Sequence, residues 1–158
     1  GKNTSGRFWS LVDDKLNIIN RSFWHYSNLK PDLIEQNPYF LAIANCLTGC
    51  TLMANHKAAL CALPFPTNAY MHDAWLGLCT KLNDGKIIAI KDSTILYRQH
   101  SANTLGAIEY KFTLTNLHNK WFLAKRSYNA AHPQVFTNHL QFVYWKIRYF
   151  IKLHLTKS

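Results

Sequence analysis

Residues 71–98, MHDAWLGLCTKLNDGKIIAIKDSTILYR, decide the fold. Trp75, Leu76, Cys79 and Leu82 recur at the spacing of one helical face, which predicts a helix from Met71 to Leu82. Asn83-Asp84-Gly85 ends it with residues that favour turns. Two short strands are then predicted, Lys86 to Ile90 and Thr94 to Arg98, separated by Lys91-Asp92-Ser93. A helix that feeds strands in this way belongs to an α/β body.

Working backwards, Pro64-Phe65-Pro66 prevents regular pairing and marks a loop, preceded by a short helix at 56–62 and a strand from Cys50 to Asn55. Asn37-Pro38 sets a capping side chain before a proline at the first helical position. Tyr39, Phe40, Ile43 and Ala44 follow at helical spacing, predicting a helix over 37–47 that Thr48-Gly49-Cys50-Thr51 breaks. The opening stretch reads as a strand, a turn at Asp13 to Asn17 and a second short extended piece. Downstream the pattern turns helical, over about 107–128 and 134–155. The natural boundary therefore falls near Gly106, dividing a mixed α/β body (1–106) from a helical, basic, aromatic-rich extension (107–158).

With 158 residues, 48% of them hydrophobic and 16% charged, the chain has the composition of one globular unit. Cys46, Cys50, Cys61 and Cys79 show no Cys-x-x-Cys knuckle of the kind structural zinc uses, and free thiols in a reducing cytoplasm fit them. No run approaches the ~20 apolar residues of a membrane-spanning helix. The chain opens on Gly1 without a visible signal peptide, and we expect a segment of a longer protein. Eighteen Lys and Arg against eight Asp and Glu, a net charge of +10, imply an anionic partner. No acidic residue follows Glu109.

Three segments carry the chemistry: Thr48-Gly49-Cys50-Thr51, Met71-His72-Asp73-Ala74-Trp75-Leu76 after the Pro64 loop, and Leu96-Tyr97-Arg98-Gln99-His100 with Asn103 and Gly106 behind it. In order and spacing, over about residues 10–106, they resemble glycosyltransferase family 2, in particular its bacterial rhamnosyltransferase-like members. The resemblance implies the C-terminal, acceptor-side portion of a GT-A (nucleotide-diphospho-sugar transferase) mixed sheet with flanking helices. It also implies inverting transfer from a nucleotide-sugar to a saccharide or lipid-linked acceptor in cell-surface polysaccharide synthesis.

Inverting transfer needs a carboxylate that takes the acceptor's proton, and the resemblance assigns this to Asp73, in the first turn of a helix whose dipole favours the charged form. A helix cap is the plainer reading of the same residue. Gly49, Cys50, Thr51, His72 and Trp75 would line the acceptor site. Gly49 serves by close approach or positive φ, or else simply ends a helix; Trp75 is a sugar platform or a core residue. Arg98 and His100 would steady the departing diphosphate, His100 with a divalent metal, Mg or Mn; alternatively His100 is an ordinary loop residue. The family's Asp-x-Asp metal motif is absent from this sequence, and Asp13-Asp14 reads as a turn former. Donor binding is therefore expected to need residues outside this chain.

Projected on a helix, Leu140, Val143, Tyr144, Ile147, Phe150 and Ile151 share one face with Phe136, opposite Phe142, Trp145, Tyr149 and Leu153, with His139, Lys146, Arg148 and Lys152 at the borders. That pattern suits either an interfacial helix on an anionic membrane surface or a helix buried between protein layers. The former predicts a cytoplasmic protein peripheral to the inner face of the plasma membrane. Two other readings remain: a basic polyanion- or nucleic-acid-binding module, disfavoured by the absence of any zinc-finger or RNA-recognition motif, and a catalytically silent remnant.

Overall fold

The computed structural model describes residues 1–67, 69, 71–99, 125, 128–129 and 134–155. Four strands and six α-helices are present among them, in a mixed α/β arrangement centred on one strand. That strand, β1 (Asn3–Val12), is followed by β2 (Ile18–Asn20) across a turn in which Asp13 Oδ1 accepts from the backbone N–H groups of Lys15 and Asn17. Three short helices come next: α1 (Phe23–Tyr26), capped by Ser22; α2 (Pro31–Gln36), with Pro31 at its first position; and α3 (Pro38–Ile43), capped by Asn37, whose Oδ1 accepts from Tyr39 N–H. The helix expected over 37–47 thus stops at Ile43.

A single 3-10 turn at Gly49–Thr51 leads into β3 (Leu52–Ala54), half the length of the expected strand. Asn55 caps α4 (His56–Cys61), and α5 runs from His72 to Leu82 as its periodicity predicts. The last strand, β4 (Lys86–Arg98), corrects the expectation of two strands. The Lys91-Asp92-Ser93 segment is a bulged part of one continuous strand: Arg7 of β1 pairs with Ile90, Phe8 with Ser93 and Trp9 with Ile95, so β4 carries extra residues, Lys91 with Asp92 and then Thr94, across two successive steps of β1. Ser93 Oγ lies 2.8 Å from the buried Ser10 Oγ, which fixes the irregular segment to β1.

Along one edge β1 pairs in parallel with β4 over its whole length, from Asn3 with Lys86 to Val12 with Arg98. The other edge is shared between β3, antiparallel at Thr4–Gly6, and β2, antiparallel at Leu11–Val12. Helix α5 is the connection that returns the chain to the start of β4. Its end is held tightly: Gly85 N–H donates to Thr80 O (2.8 Å), Lys86 N–H donates to Lys2 O (2.9 Å), and Asp84 takes the left-handed conformation (φ 57°). The Thr80 hydroxyl is buried against Thr4 Oγ1 at 2.9 Å, so the helix-to-strand polar contact is paired on both sides.

The last helix, α6 (His139–Leu155), starts later than the expected residue 134, because Asn138 Oδ1 accepts from Gln141 N–H while Gln141 Oε1 accepts from Thr137 N–H. Phe136 lies before this helix and is fully buried, so it does not share the face assigned to it. Helix α6 joins two apolar clusters. Tyr149 and Leu153 enter one with Trp24, Ile34, Phe40, Leu41, Leu47 and Ile87; Phe142 enters the other with Leu78, Tyr128, Val135 and Phe136. Between them Trp145 stacks on Tyr39 of α3 with ring centroids 4.3 Å apart. The expected 107–128 helix lies outside the described residues except at Lys125 and Tyr128. No helix among the described residues is long and apolar enough to cross a membrane.

Candidate functional site

Because β4 runs parallel to β1, the chain must return along the sheet between them, and α5 makes that return with its first turn toward the carboxyl end of β1. The 3-10 turn at Gly49–Thr51 lies on the same side, since β3 leaves it antiparallel to β1. Two segments 24 residues apart therefore meet. Gly49 N–H donates to Asp73 Oδ2 at 2.9 Å.

Asp73 occupies the second position of α5 and is 4% exposed. Its Oδ1 accepts from Ala74 N–H (2.6 Å) and from Asn45 Nδ2 (3.2 Å). Asn45 is held in its turn by Leu47, donating to Leu47 O and accepting from Leu47 N–H, each at 3.0 Å. Three N–H donors and the first turn of a helix surround the two carboxyl oxygens. A carboxylate offers about four acceptor positions. Oδ1 uses two and Oδ2 one, so one acceptor position on Oδ2 has no hydrogen-bond partner among the described residues.

Gly49 is closely approached by a side chain, and its backbone makes no use of a positive φ: among the described residues no glycine has one. A Cβ placed on Gly49 would meet the His72 ring, with Cε1 at 2.9 Å and Nε2 closer still. Nor does Gly49 end a helix; it begins the turn, since α3 has already closed at Ile43. His72 is exposed and rests across this glycine, and Cys50 is exposed beside it. Thr51 is buried and turns its hydroxyl back to donate to Thr48 O (3.1 Å), closing the turn. Trp75 donates its indole N–H to Ala62 O (2.9 Å) and packs against the second apolar cluster, tying the end of α4 to α5.

The third segment reaches this region through a residue that the sequence does not mark. Trp9, 3% exposed in β1, directs its indole N–H to Thr48 Oγ1 (3.4 Å), stacks on Phe23 at 4.1 Å and contacts the Tyr97 ring at 4.5 Å. It links the glycine turn to the end of β4. Arg98, paired with Val12, stands exposed three residues beyond Trp9 along the sheet, about 10 Å further. His100 lies outside the described residues, as do Asn103 and Gly106. Among the described residues no three His, Cys, Asp or Glu side chains gather as a metal site.

Sequence reasoning missed Asn45 and Trp9. A buried tryptophan needs an acceptor for its N–H, which is a signal that Trp9 makes a specific contact but not with what. Asn45 follows an apolar helix and reads as a turn former; nothing local shows that its amide reaches residue 73. Comparison of the chain with protein-family models, with curated proteins and with solved structures gives no match.

Proposed function

We propose that this chain is the acceptor-side, base-bearing part of an inverting family 2 type glycosyltransferase with a GT-A sheet, moving a sugar from a nucleotide-sugar to a saccharide or lipid-linked hydroxyl. The observation that carries this reading is the Gly49 N–H to Asp73 Oδ2 bond. It joins two segments singled out by motif order alone, and it leaves a buried carboxylate with one open acceptor position.

In the proposed step the acceptor O–H bond breaks, its proton passing to Asp73 Oδ2. The acceptor oxygen bonds to the anomeric carbon from the face opposite the leaving group. The glycosyl–phosphate bond breaks with its electron pair on the nucleoside diphosphate, and configuration inverts. His72 and Cys50 border the place where the acceptor would enter. Arg98, exposed at the end of β4, supplies positive charge on the leaving-group side. The divalent metal implied by the family resemblance has one candidate ligand in this chain, His100, and the described residues do not themselves form a site for it. The donor would be held by residues outside this chain.

The test is Asp73→Asn in the enzyme that carries this segment together with a donor-binding half. Donor affinity should stay near wild type while transfer falls about 10²–10⁴-fold. A variant that folds, binds donor and turns over at the wild-type rate would remove Asp73 from the mechanism.

A further inference from the structure

Helix α6 has one buried face and one exposed face, and both are apolar. Phe142, Tyr149 and Leu153 are buried, whereas Leu140, Val143, Tyr144, Ile147, Ile151 and Leu155 stand out from the body, Leu140 at 82% and Leu155 at 76% exposure. Steps of three and four residues place these six on one stripe along a 17-residue helix, about 25 Å of continuous apolar surface.

The borders of the stripe are basic. At about 100° per residue, Arg148 and Lys152 follow one margin, and Lys146 and His139 follow the other. Arg148 donates to Tyr144 Oη at 3.1 Å, which carries its guanidinium along the stripe's edge. Lys146 lies with its ammonium 5.5 Å from the Phe142 ring centroid, and burial pushes its pKa below the ordinary lysine value, so a nearby anion would favour its charged form. No Asp or Glu occurs anywhere in α6, or in the sequence after Glu109.

These charges select the occupant. Pairing two copies of this face would set Lys and Arg against Lys and Arg with no carboxylate to receive them. An anionic bilayer takes the stripe into its acyl boundary and presents phosphates to both margins at once. The helix is too short and too polar to cross, which leaves the orientation in the membrane plane.

We infer that α6 docks the chain on anionic lipid bilayers, lying in the interface with its exposed apolar stripe in the acyl boundary and Lys146, Arg148 and Lys152 on headgroup phosphates. This stands on α6 alone and does not depend on glycosyl transfer. The experiment is co-sedimentation of the chain with phosphatidylcholine vesicles containing about one-third phosphatidylglycerol, against phosphatidylcholine alone. Binding should be tighter to the anionic vesicles, by about tenfold or more, and should weaken with salt. Ile147→Asp should remove most of it. Replacing Arg148 and Lys152 by Gln should weaken it roughly fivefold per charge. All three positions are exposed, so these variants should melt with the wild type. Failure to bind either vesicle would overturn the inference. So would undiminished binding by Ile147→Asp, which would mean diffuse charge attraction without insertion. A concentration-dependent dimer that Ile147→Asp dissolves would assign the stripe to a second copy of the chain.

Discussion

Asn45 is the residue on which the geometry of Asp73 rests most directly, because its amide both donates to the carboxylate and is itself fixed by the Leu47 backbone. Asn45→Ala leaves the Leu47 N–H without this partner in a half-buried position. It should cost about 1–2 kcal/mol, measured as a shift in urea midpoint. Asn45→Asp should cost more at pH 7, since it replaces a donor to Asp73 with a second negative charge. A penalty no larger than that of Asn45→Ala would show that the two carboxyl groups do not interact. The sequence marked residues 49 and 73 as separate motifs; the bond between them is a finding of the structure. Motif order did not reveal Asn45, whose role depends on where α3 ends, nor the His72 ring that lies across the Gly49 backbone, a proximity that exists only in the folded chain.

For the secondary elements, the clearest lesson concerns α5. Its apolar period, its stop at Asn83-Asp84-Gly85 and the strand behind it were all legible, because each signal lies within a few residues of the structure it dictates. Two glycines show what was not. A Cβ at Gly85 would stand 2.5 Å from Thr80 O and 2.7 Å from Lys2 O, both backbone atoms that cannot yield without moving the helix end or β1. At Gly77 a Cβ would press on the Leu47 side chain and lie 3.4 Å from Leu41 Cδ2, atoms at the ends of flexible side chains. Gly85→Ala should therefore destabilise by about 3 kcal/mol. Gly77→Ala should cost only about 1 kcal/mol, overpacking being partly offset by the better helix propensity of alanine. Thermal melting of the two variants checks the order, and a reversal would mean that α5 sits on the sheet less tightly than its contacts show. The continuity of β4 was hidden because Lys91-Asp92-Ser93 is what a turn looks like in sequence; pairing with β1 overrides that local preference. Helices α1 and α2, of four and six residues, are too short to display a period.

Across the whole molecule the core is shared between the body and α6, and it shelters two of four free thiols. Burial pushes Cys46 up to about 12 and Cys79 up to about 11. In the folded chain these should resist alkylation at pH 8 while the exposed Cys50 reacts, as intact-mass measurement would show. A thiol whose pKa is raised by folding favours the native state while both states are protonated, and this advantage is lost as pH rises. Stability should therefore decline as pH rises from about 9, where unfolded thiols ionise, through the folded values. An alkaline profile that Cys46→Ala and Cys79→Ala leave unchanged would place the cause elsewhere. The sequence also showed both apolar sides of α6 but not which one meets the body, because that depends on Tyr39 and Phe40 presenting rings to Trp145. The bond from Gly49 to Asp73 has one more consequence. It closes a segment holding β3, α4 and the proline loop, and opening that segment breaks it. Local unfolding and loss of the carboxylate's geometry are then a single equilibrium, so the proposed base is armed only in molecules where α4 and the glycine turn are seated on β1.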